Sequence, residues 1–434
     1  MTLTMQEAID WLESRPFGTR QGLAHFESLL DEIDHPETKT EMIHIAGTNG
    51  KGSTVSFLNA MILETGLRVG TFTSPHIERI NERMTINGKE IADEAFIQLV
   101  KKLKPIVLDL DQKMQQKSVT EFELLTAMAF LYFQEQKVDV AIIEVGLGGL
   151  LDSTNVIKEP LLTAITTIGM DHTEILGNSL EKIAAQKAGI IKKNVPLVTG
   201  RIASSALFVI EEMAKKENAP MIRFESDYQV IYRHPDPGWG EIFDFSTGKE
   251  KLKNLTIPLV GRHQVENAGC AIALYYQFCQ LKNIPFQTRD VRAGLKKTYW
   301  PVRMEKISEE PLVLLDGAHN VHAMKRLVQN MKKEFKQYHI HILFSALETK
   351  DIEAMLLQLL EIPEADIHLT SFDFPKALRL EKNYEKIDES RISVVSLWQF
   401  GLANILQSAG SDDLILITGS LYFIGEVRKL LKEI

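Results

Sequence analysis

One stretch limits the fold more than any other. The apolar run Met42-Ile-His-Ile-Ala46 leads into the loop Gly47-Thr-Asn-Gly-Lys-Gly-Ser53, and apolar residues then recur at helical spacing at Val55, Leu58, Ile62 and Leu63. Strand, glycine loop and helix in that order open a β–α–β unit, which implies a parallel sheet. Glycines let the backbone turn tightly, so that successive N–H groups can face one anion. The start of the helix adds about half a positive charge at the same point. Lys51 then reads as the full charge for the β- and γ-phosphates of a nucleotide, and Ser53 as a hydroxyl for magnesium. The pattern G-x-x-x-x-G-K-[ST] is not strictly met, because Ile45 holds the first glycine position and Gly52 separates Lys51 from Ser53. The plainer reading is a glycine-rich turn without a ligand.

The same alternation runs along the chain. Further strands are expected at Val138–Val145, Leu161–Ile168, Val195–Thr199, Val313–Leu315, His339–Phe344, Asp366–Thr370, Ile392–Val395 and Leu414–Thr418, with helices between many of them. This is the pattern of parallel sheets covered on both faces. Residues 225–258 break it and read as a small antiparallel insertion, with turns at Pro235-Asp236-Pro237-Gly238 and Thr247-Gly248. A chain of 434 residues exceeds what one core usually holds. The helical pattern that stops at Lys296–Val302 sets the expected domains at 1–298 and 299–434.

In α/β folds ligands collect beyond the carboxyl ends of strands, so the polar residues after each apolar run matter most. Glu144 closes one run, before Gly146-Leu-Gly-Gly149. A carboxylate there suits a magnesium ion, or serves as a turn cap. The run ending at Ile168 is followed by Gly169-Met-Asp171-His172. A lone histidine after a strand is often a packed loop residue, but this one shares a sheet edge with Lys51 and Glu144. Asn178-Ser-Leu-Glu181 reads as a capping box. In the helix it starts, Leu180, Ile183, Ala184, Lys187 and Ile191 share a face. An ammonium on an apolar face must snorkel, pair, or lose its proton. A neutral amine can take up carbon dioxide and become a carbamate. In the second domain Asp316-Gly-Ala-His319-Asn320 again puts an acid and an imidazole at a strand end, or else an N-cap and a turn.

Composition narrows the partners. A net charge of -9 argues against nucleic acid, which usually selects a basic footprint. Cys270 and Cys279 lie on one expected helix, too far apart to bridge, and read as reduced, packed residues of a cytoplasmic protein. The first residues show no secretory signal, and no apolar run is long enough for a membrane span.

Several segments together resemble a known family. They are Gly47–Ser53, Thr73-Ser-Pro-His-Ile77, Asn81-Glu-Arg83, Glu144–Gly149, Asp152-Ser-Thr-Asn155, Met170-Asp-His-Thr173, Gln186-Lys-Ala-Gly189, Gly261-Arg-His-Gln264 with Asn267, Asp316–Asn320 and Gly419-Ser-Leu-Tyr422. Their order is that of folylpolyglutamate synthases and bifunctional dihydrofolate synthases, relatives of the Mur ligases. The start, Phe17-Gly18 to Gly22-Leu23 and Leu29-Leu30, is similar too. The resemblance covers nearly the whole chain. It implies an α/β fold: a P-loop parallel-sheet N-terminal domain and a smaller Rossmann-like C-terminal domain. It implies an enzyme that joins L-glutamate to the γ-carboxylate of a tetrahydrofolate at the expense of ATP, with dihydropteroate as a further candidate acceptor; a monomer is the default expectation.

The resemblance also implies roles for residues. Thr48, Asn49, Gly50, Lys51, Gly52 and Ser53 would hold ATP phosphates. Ser53, Ser74, Glu144 and His172 would serve two magnesium ions, with Lys187 carbamylated beside the second. Asn267, Arg303 and Asp316 would contact ATP, with His319 nearby. Lys51, His172, Lys187, Asp316 and His319 would form the catalytic set. Thr120, Glu121, Phe122 and Glu123, with Leu151, Asp152 and Ser153, match the pterin-binding regions, although Thr120 and Glu123 also read as a capping box. The chain departs from the family where Leu150 replaces a common Arg, Gln186 a common Glu, and Glu348-Thr-Lys350-Asp351 a common Asp-Lys-Asp. Two competing readings are a Mur ligase of cell-wall synthesis and a P-loop kinase or nucleotide switch. The first usually carries a further N-terminal domain, for which a phosphate loop starting at residue 47 leaves no room; the second has no need of Asp316–Asn320.

Overall fold

The computed structural model describes residues 3–16, 23–113, 118–380 and 389–433. Phe17, Gly18 and Gly22 therefore lie outside the described residues. The chain divides into two compact units: Met1–Arg233 with Ile242–Ile257 and Gln264–Thr298, and His234–Glu241 with Pro258–His263 and Tyr299–Ile434.

The first unit is built on eight strands: β1 Met42–Ala46, β2 Val69–Phe72, β3 Met84–Ile86, β4 Lys89–Glu90, β5 Val140–Glu144, β6 Leu162–Ile165, β7 Leu197–Thr199 and β8 Met221–Arg223. Their order is β4-β3-β2-β5-β1-β6-β7-β8. The run from β2 to β8 is parallel, while β3 and β4 pair antiparallel at one edge. Every residue of β1, β2 and β5 is buried, as two-faced cover requires. One core cluster gathers Phe26, Leu30, Phe96, Leu103, Phe130 and Phe133; another joins Ile165, Ile183, Ala188, Ile190 and Ile210.

The insertion is a three-stranded sheet of β9 Tyr228–Pro235, β10 Glu241–Thr247 and β11 Lys251–Ile257, in the order β11-β10-β9. Neighbouring strands are joined by short loops closed by bonds from Asp236 N–H to the Gly240 carbonyl and from Thr247 N–H to the Glu250 carbonyl. Such short connections belong to antiparallel pairs. The turns sit where the glycines and prolines indicate.

The second unit holds β12 Glu305–Glu309, β13 Leu312–Asp316, β14 His339–Phe344, β15 Asp366–Thr370, β16 Ile392–Val395 and β17 Asp413–Thr418. Their order is β12-β13-β17-β14-β15-β16, all parallel except β12. Its core includes Leu314, Met331, Ile342, Phe344, Leu356, Ile367 and Leu416.

The structure adds strands that the sequence pattern did not reveal: β2, β3, β4, β8 and β12. All are short, and β2 contains Gly70, which blurs its apolar signal. The expected strand Leu161–Ile168 ends early, at Ile165. The expected capping box at Asn178 does not form, because the helix begins one residue later and its N3 residue is Lys182. Ser179 is the N-cap, its hydroxyl accepting from Lys182 N–H at 3.3 Å, while the Asn178 amide oxygen accepts from Lys182 Nζ at 3.1 Å. Cys270 and Cys279 are buried free thiols on the helix Arg262–Lys282. No described helix is long and apolar enough to cross a membrane.

Candidate active site

The strand order explains which loops meet. β2, β5, β1 and β6 are neighbours and parallel, so their carboxyl ends lie along one edge. Beyond those ends come Ser74, Glu144, the Gly47–Ser53 loop and the segment running to His172. Four sequence-distant motifs are thus delivered to one place by topology alone.

The loop after β1 is held open by its neighbours. Thr48 N–H donates to the Thr167 carbonyl at 2.8 Å. The Thr48 hydroxyl accepts from Gly169 N–H at 3.0 Å. Asn49 N–H donates to Thr167 Oγ1 at 3.1 Å, and the Asn49 carbonyl accepts from the hydroxyls of Thr166 and Thr167 at 2.7 and 3.0 Å. Just past β6, Thr166 N–H still bonds the Ala46 carbonyl at 2.9 Å, while the side chains of Thr166 and Thr167 turn to clamp the loop. The expected strand Leu161–Ile168 contains both, and the doubled threonine near its end is the signal that marks them.

Gly50 has φ 84° and serves as N-cap of the helix Lys51–Leu63. A Cβ at this position would lie 2.3 Å from Asn267 Oδ1, so glycine is required both by conformation and by space. The contact also places Asn267 against the loop. Asn267 is buried and donates to Gln264 Oε1 at 3.0 Å. Ser53 is buried in the first helical turn.

Lys51 Nζ donates to the Gly47 carbonyl at 3.1 Å and stands 3.7 Å from Glu144 Oε1. The other carboxylate oxygen, Oε2, accepts from Ser74 N–H at 3.4 Å. His172 is half-exposed, with φ 47°, and caps the short helix Thr173–Leu176. Its N–H donates to Asp171 Oδ1 at 2.9 Å.

Lys187 lies on the helix Leu180–Ala188 with 4% of its surface exposed. Among the described residues it forms no ion pair, so it neither snorkels nor pairs. Burial, reinforced by the charge of Lys51, brings its ammonium down to about 7, against the opposing pull of Asp171 and Asp152. The third alternative, a neutral amine near neutral pH, is the one the geometry favours.

Around this helix folds the loop Gly146–Asn155. Leu150 N–H donates to the Gln186 carbonyl at 2.7 Å, and Asn155 Nδ2 donates to the carbonyls of Leu150 and Gly189 at 3.0 and 3.1 Å. Asp152 is buried, and burial pushes its carboxyl up. Its Oδ2 accepts from Leu147 N–H at 2.7 Å and its Oδ1 from Thr154 N–H at 3.0 Å. Both oxygens of this residue therefore shape the loop. Leu151 is exposed, and the buried Ser153 hydroxyl lies 3.3 Å from that of Thr126. Thr120 and Glu123 form the capping box in full, with Glu123 Oε2 accepting from Thr120 N–H at 2.7 Å and Glu123 N–H donating to Thr120 Oγ1 at 3.2 Å. Phe122 stacks on Phe72 with centroids 5.8 Å apart, and burial raises the Glu121 carboxyl.

In the second unit, Asp316 ends β13. It is buried, accepting from Met304 N–H through Oδ2 and from Ala318 N–H through Oδ1, both at 3.0 Å. Burial raises its carboxyl in spite of the Arg303 guanidinium. Arg303 sits between Val302 and Met304, whose φ values are 52° and 49°. His319 Nδ1 lies 2.8 Å from the Gly317 carbonyl, and Asn320 caps the helix Val321–Glu334. The half-buried ring of His263 is pushed down to about 3 by desolvation and by the charges of Arg326, Arg303 and His322. Sequence reasoning did not single out His322 and Arg326, although their four-residue spacing on one helix is a signal.

Comparison with known proteins agrees with this geometry. Residues 45–275 match the Mur ligase middle domain, and residues 302–421 the Mur ligase glutamate ligase domain. The dihydrofolate synthase/folylpolyglutamate synthase of Bacillus subtilis (strain 168) is 44% identical over 441 residues, covering 100% of both chains. The folylpolyglutamate synthase of Lacticaseibacillus casei is 36% identical, covering 93% of each. Among solved structures, Mycobacterium tuberculosis folylpolyglutamate synthase complexed with ADP superposes with a TM-score of 0.91 at 29% identity, over 98% of both chains. With Mur ligase domains along its length and whole-chain relatives of this kind, the chain belongs to the folylpolyglutamate synthase and dihydrofolate synthase family of Mur ligases.

Proposed function

We propose that this protein is an ATP-dependent ligase that joins L-glutamate to the γ-carboxylate of a folate, with dihydropteroate as a second candidate acceptor. The observation that carries the reading is the juxtaposition of Lys51, the Gly47–Ser53 loop and Glu144 at adjacent strand ends. Whole-chain relatives with folate-ligase names support it, as does a similar solved structure described as an FPGS-AMPPCP-folate complex, 33% identical with a TM-score of 0.87. They favour the folate branch over a cell-wall ligase or a nucleotide switch.

A carboxylate is a poor acyl donor because its leaving group is oxide. Attack by one carboxylate oxygen on the γ-phosphorus of ATP converts it to an acyl phosphate and releases ADP. The glutamate amine then attacks the acyl carbon, and phosphate leaves with that oxygen. Lys51 and the N–H groups of residues 50–53 hold and neutralise the transferring phosphoryl group, while Thr167 keeps the N–H groups of Thr48 and Asn49. Lys51 exchanges its contacts with Gly47 and Glu144 for the phosphates.

The donor set suits magnesium, a hard ion that prefers oxygen: the Ser53 and Ser74 hydroxyls and the Glu144 carboxylate would hold one ion, and His172 a second. Bound magnesium supplies charge against the phosphates and the acceptor carboxylate. Lys187, buried and with its ammonium brought down to about 7, is suited to carry a carbamate as a further ligand. Phe122 and Leu151 are candidate pterin contacts. Arg303, Asp316 and His319 are candidate ligand contacts of the second unit.

The test is the variant Lys51→Ala, assayed for ADP formed with tetrahydrofolate and glutamate. Glutamate-dependent ADP formation should fall at least a hundredfold, about 3 kcal/mol of transition-state stabilisation, with the fold intact by circular dichroism. Near-normal turnover would refute the phosphate-loop assignment.

A further inference from the structure

The ligand-bearing ends of the second unit's sheet are the carboxyl ends, where Asp316 stands. At the opposite, amino-terminal end lies a separate cluster of imidazoles and carboxylates. His339 and His341 are two residues apart on β14 and so share a face. Their rings stack at 4.7 Å with planes 7° apart. Asp413 opens β17, paired with His339 in register. Asp366 opens β15, paired with His341.

One nitrogen or oxygen from each of His339, His341 and Asp413 lies within 4.8 Å of the others. His341 Nε2 is 3.5 Å from Asp413 Oδ1. The second oxygen of Asp413, Oδ2, accepts from Gly410 N–H at 2.6 Å, which fixes the carboxylate and leaves Oδ1 towards the histidine. His339 Nε2 is 2.8 Å from Asp366 Oδ2. A carboxylate there favours the proton on Nε2 and leaves Nδ1 as a lone-pair donor, the arrangement in which outer carboxylates orient metal-bound histidines. His368, with its ring 6.0 Å from that of His341, has a buried Nε2 without a hydrogen-bond partner among the described residues. The His341 side chain is only 16% exposed, whereas those of His339 and Asp366 are half-exposed, so the cluster opens to solvent on one side.

We propose that His339, His341 and Asp413 form a binding site for one transition-metal ion of the zinc class, with Asp366 orienting His339. Two imidazoles and one carboxylate select zinc, cobalt, nickel or copper over magnesium or calcium, whose sites are built from oxygen. Three protein donors leave a position for water. The site belongs to the second unit alone and is independent of the ligase reading. The half-exposed His339 side chain has room to turn towards an ion held by His341 and Asp413.

The experiment is a cobalt(II) titration of the purified full chain in excess magnesium, followed by visible absorption. A single equivalent should bind with a low-symmetry d–d spectrum, and one equivalent of zinc should displace it. His341→Ala and Asp413→Asn should abolish that spectrum, and Asp366→Asn should weaken binding about 10- to 100-fold. Ligase turnover in magnesium alone should be unchanged in each, which also reports that they fold. His339→Gln, at the more exposed position, serves where His341→Ala does not fold. Absence of any cobalt spectrum, or a spectrum that persists unchanged in the histidine and Asp413 variants, overturns the proposal.

Discussion

Lys187 shows how much of a residue's chemistry its spacing can carry. Its place on an apolar helix face was legible in the sequence, because Ile183, Ala184 and Ile191 repeat around it. Which escape it takes from burial was not legible, since that depends on Asp152, Asp171 and Lys51, all distant in the chain. If the amine carries a carbamate, Lys187→Ala should lose most activity and regain part of it with added acetate or formate; activity flat across that titration would count against the carbamate. His44 makes a different prediction. Fully buried in β1, with Nε2 at 2.8 Å from Thr154 Oγ1, it is pushed by desolvation down to about 3. An unfolded histidine titrates near 6.5. Between these values the unfolded chain binds the extra proton, so stability falls as pH falls through that window. Urea titrations from pH 6.5 to 4 should show a loss approaching about 1.4 kcal/mol per pH unit from this group, absent in His44→Gln. Parallel pH profiles for the two proteins would contradict this.

Among elements, the long strands, the phosphate loop and the insertion were readable because each has a period or a turn signal of its own. β2 was not, although it carries Ser74 to the site, because four residues including a glycine give no period. Equally hidden was the Gly146–Asn155 loop's attachment to the Lys187 helix, which rests on backbone bonds between segments remote in sequence. Gly189 marks that attachment: a Cβ there would lie 2.4 Å from Leu150 Cα. Backbone cannot yield as a side-chain tip can. Gly189→Ala should destabilise the protein by about 1–3 kcal/mol by urea titration and reduce kcat as the loop is displaced. Unchanged stability and kcat would mean that the loop adjusts freely.

At the scale of the whole molecule, alternation of strands and helices was sufficient to read two α/β sheets, and motif order was sufficient to read the family. Strand order was not readable. It is the adjacency of β2, β5, β1 and β6 that turns four separate motifs into one edge, and no local pattern encodes which strands become neighbours. In the proposed reaction this edge activates a folate carboxylate by phosphorylation before glutamate attacks. The direct measurement uses tetrahydrofolate labelled with oxygen-18 in its γ-carboxylate, with ATP, magnesium and glutamate, and mass analysis of the phosphate released. Each phosphate should carry one labelled oxygen, and the phosphate yield should equal the glutamate incorporated. Unlabelled phosphate, or phosphate released at the same rate without glutamate, would contradict it.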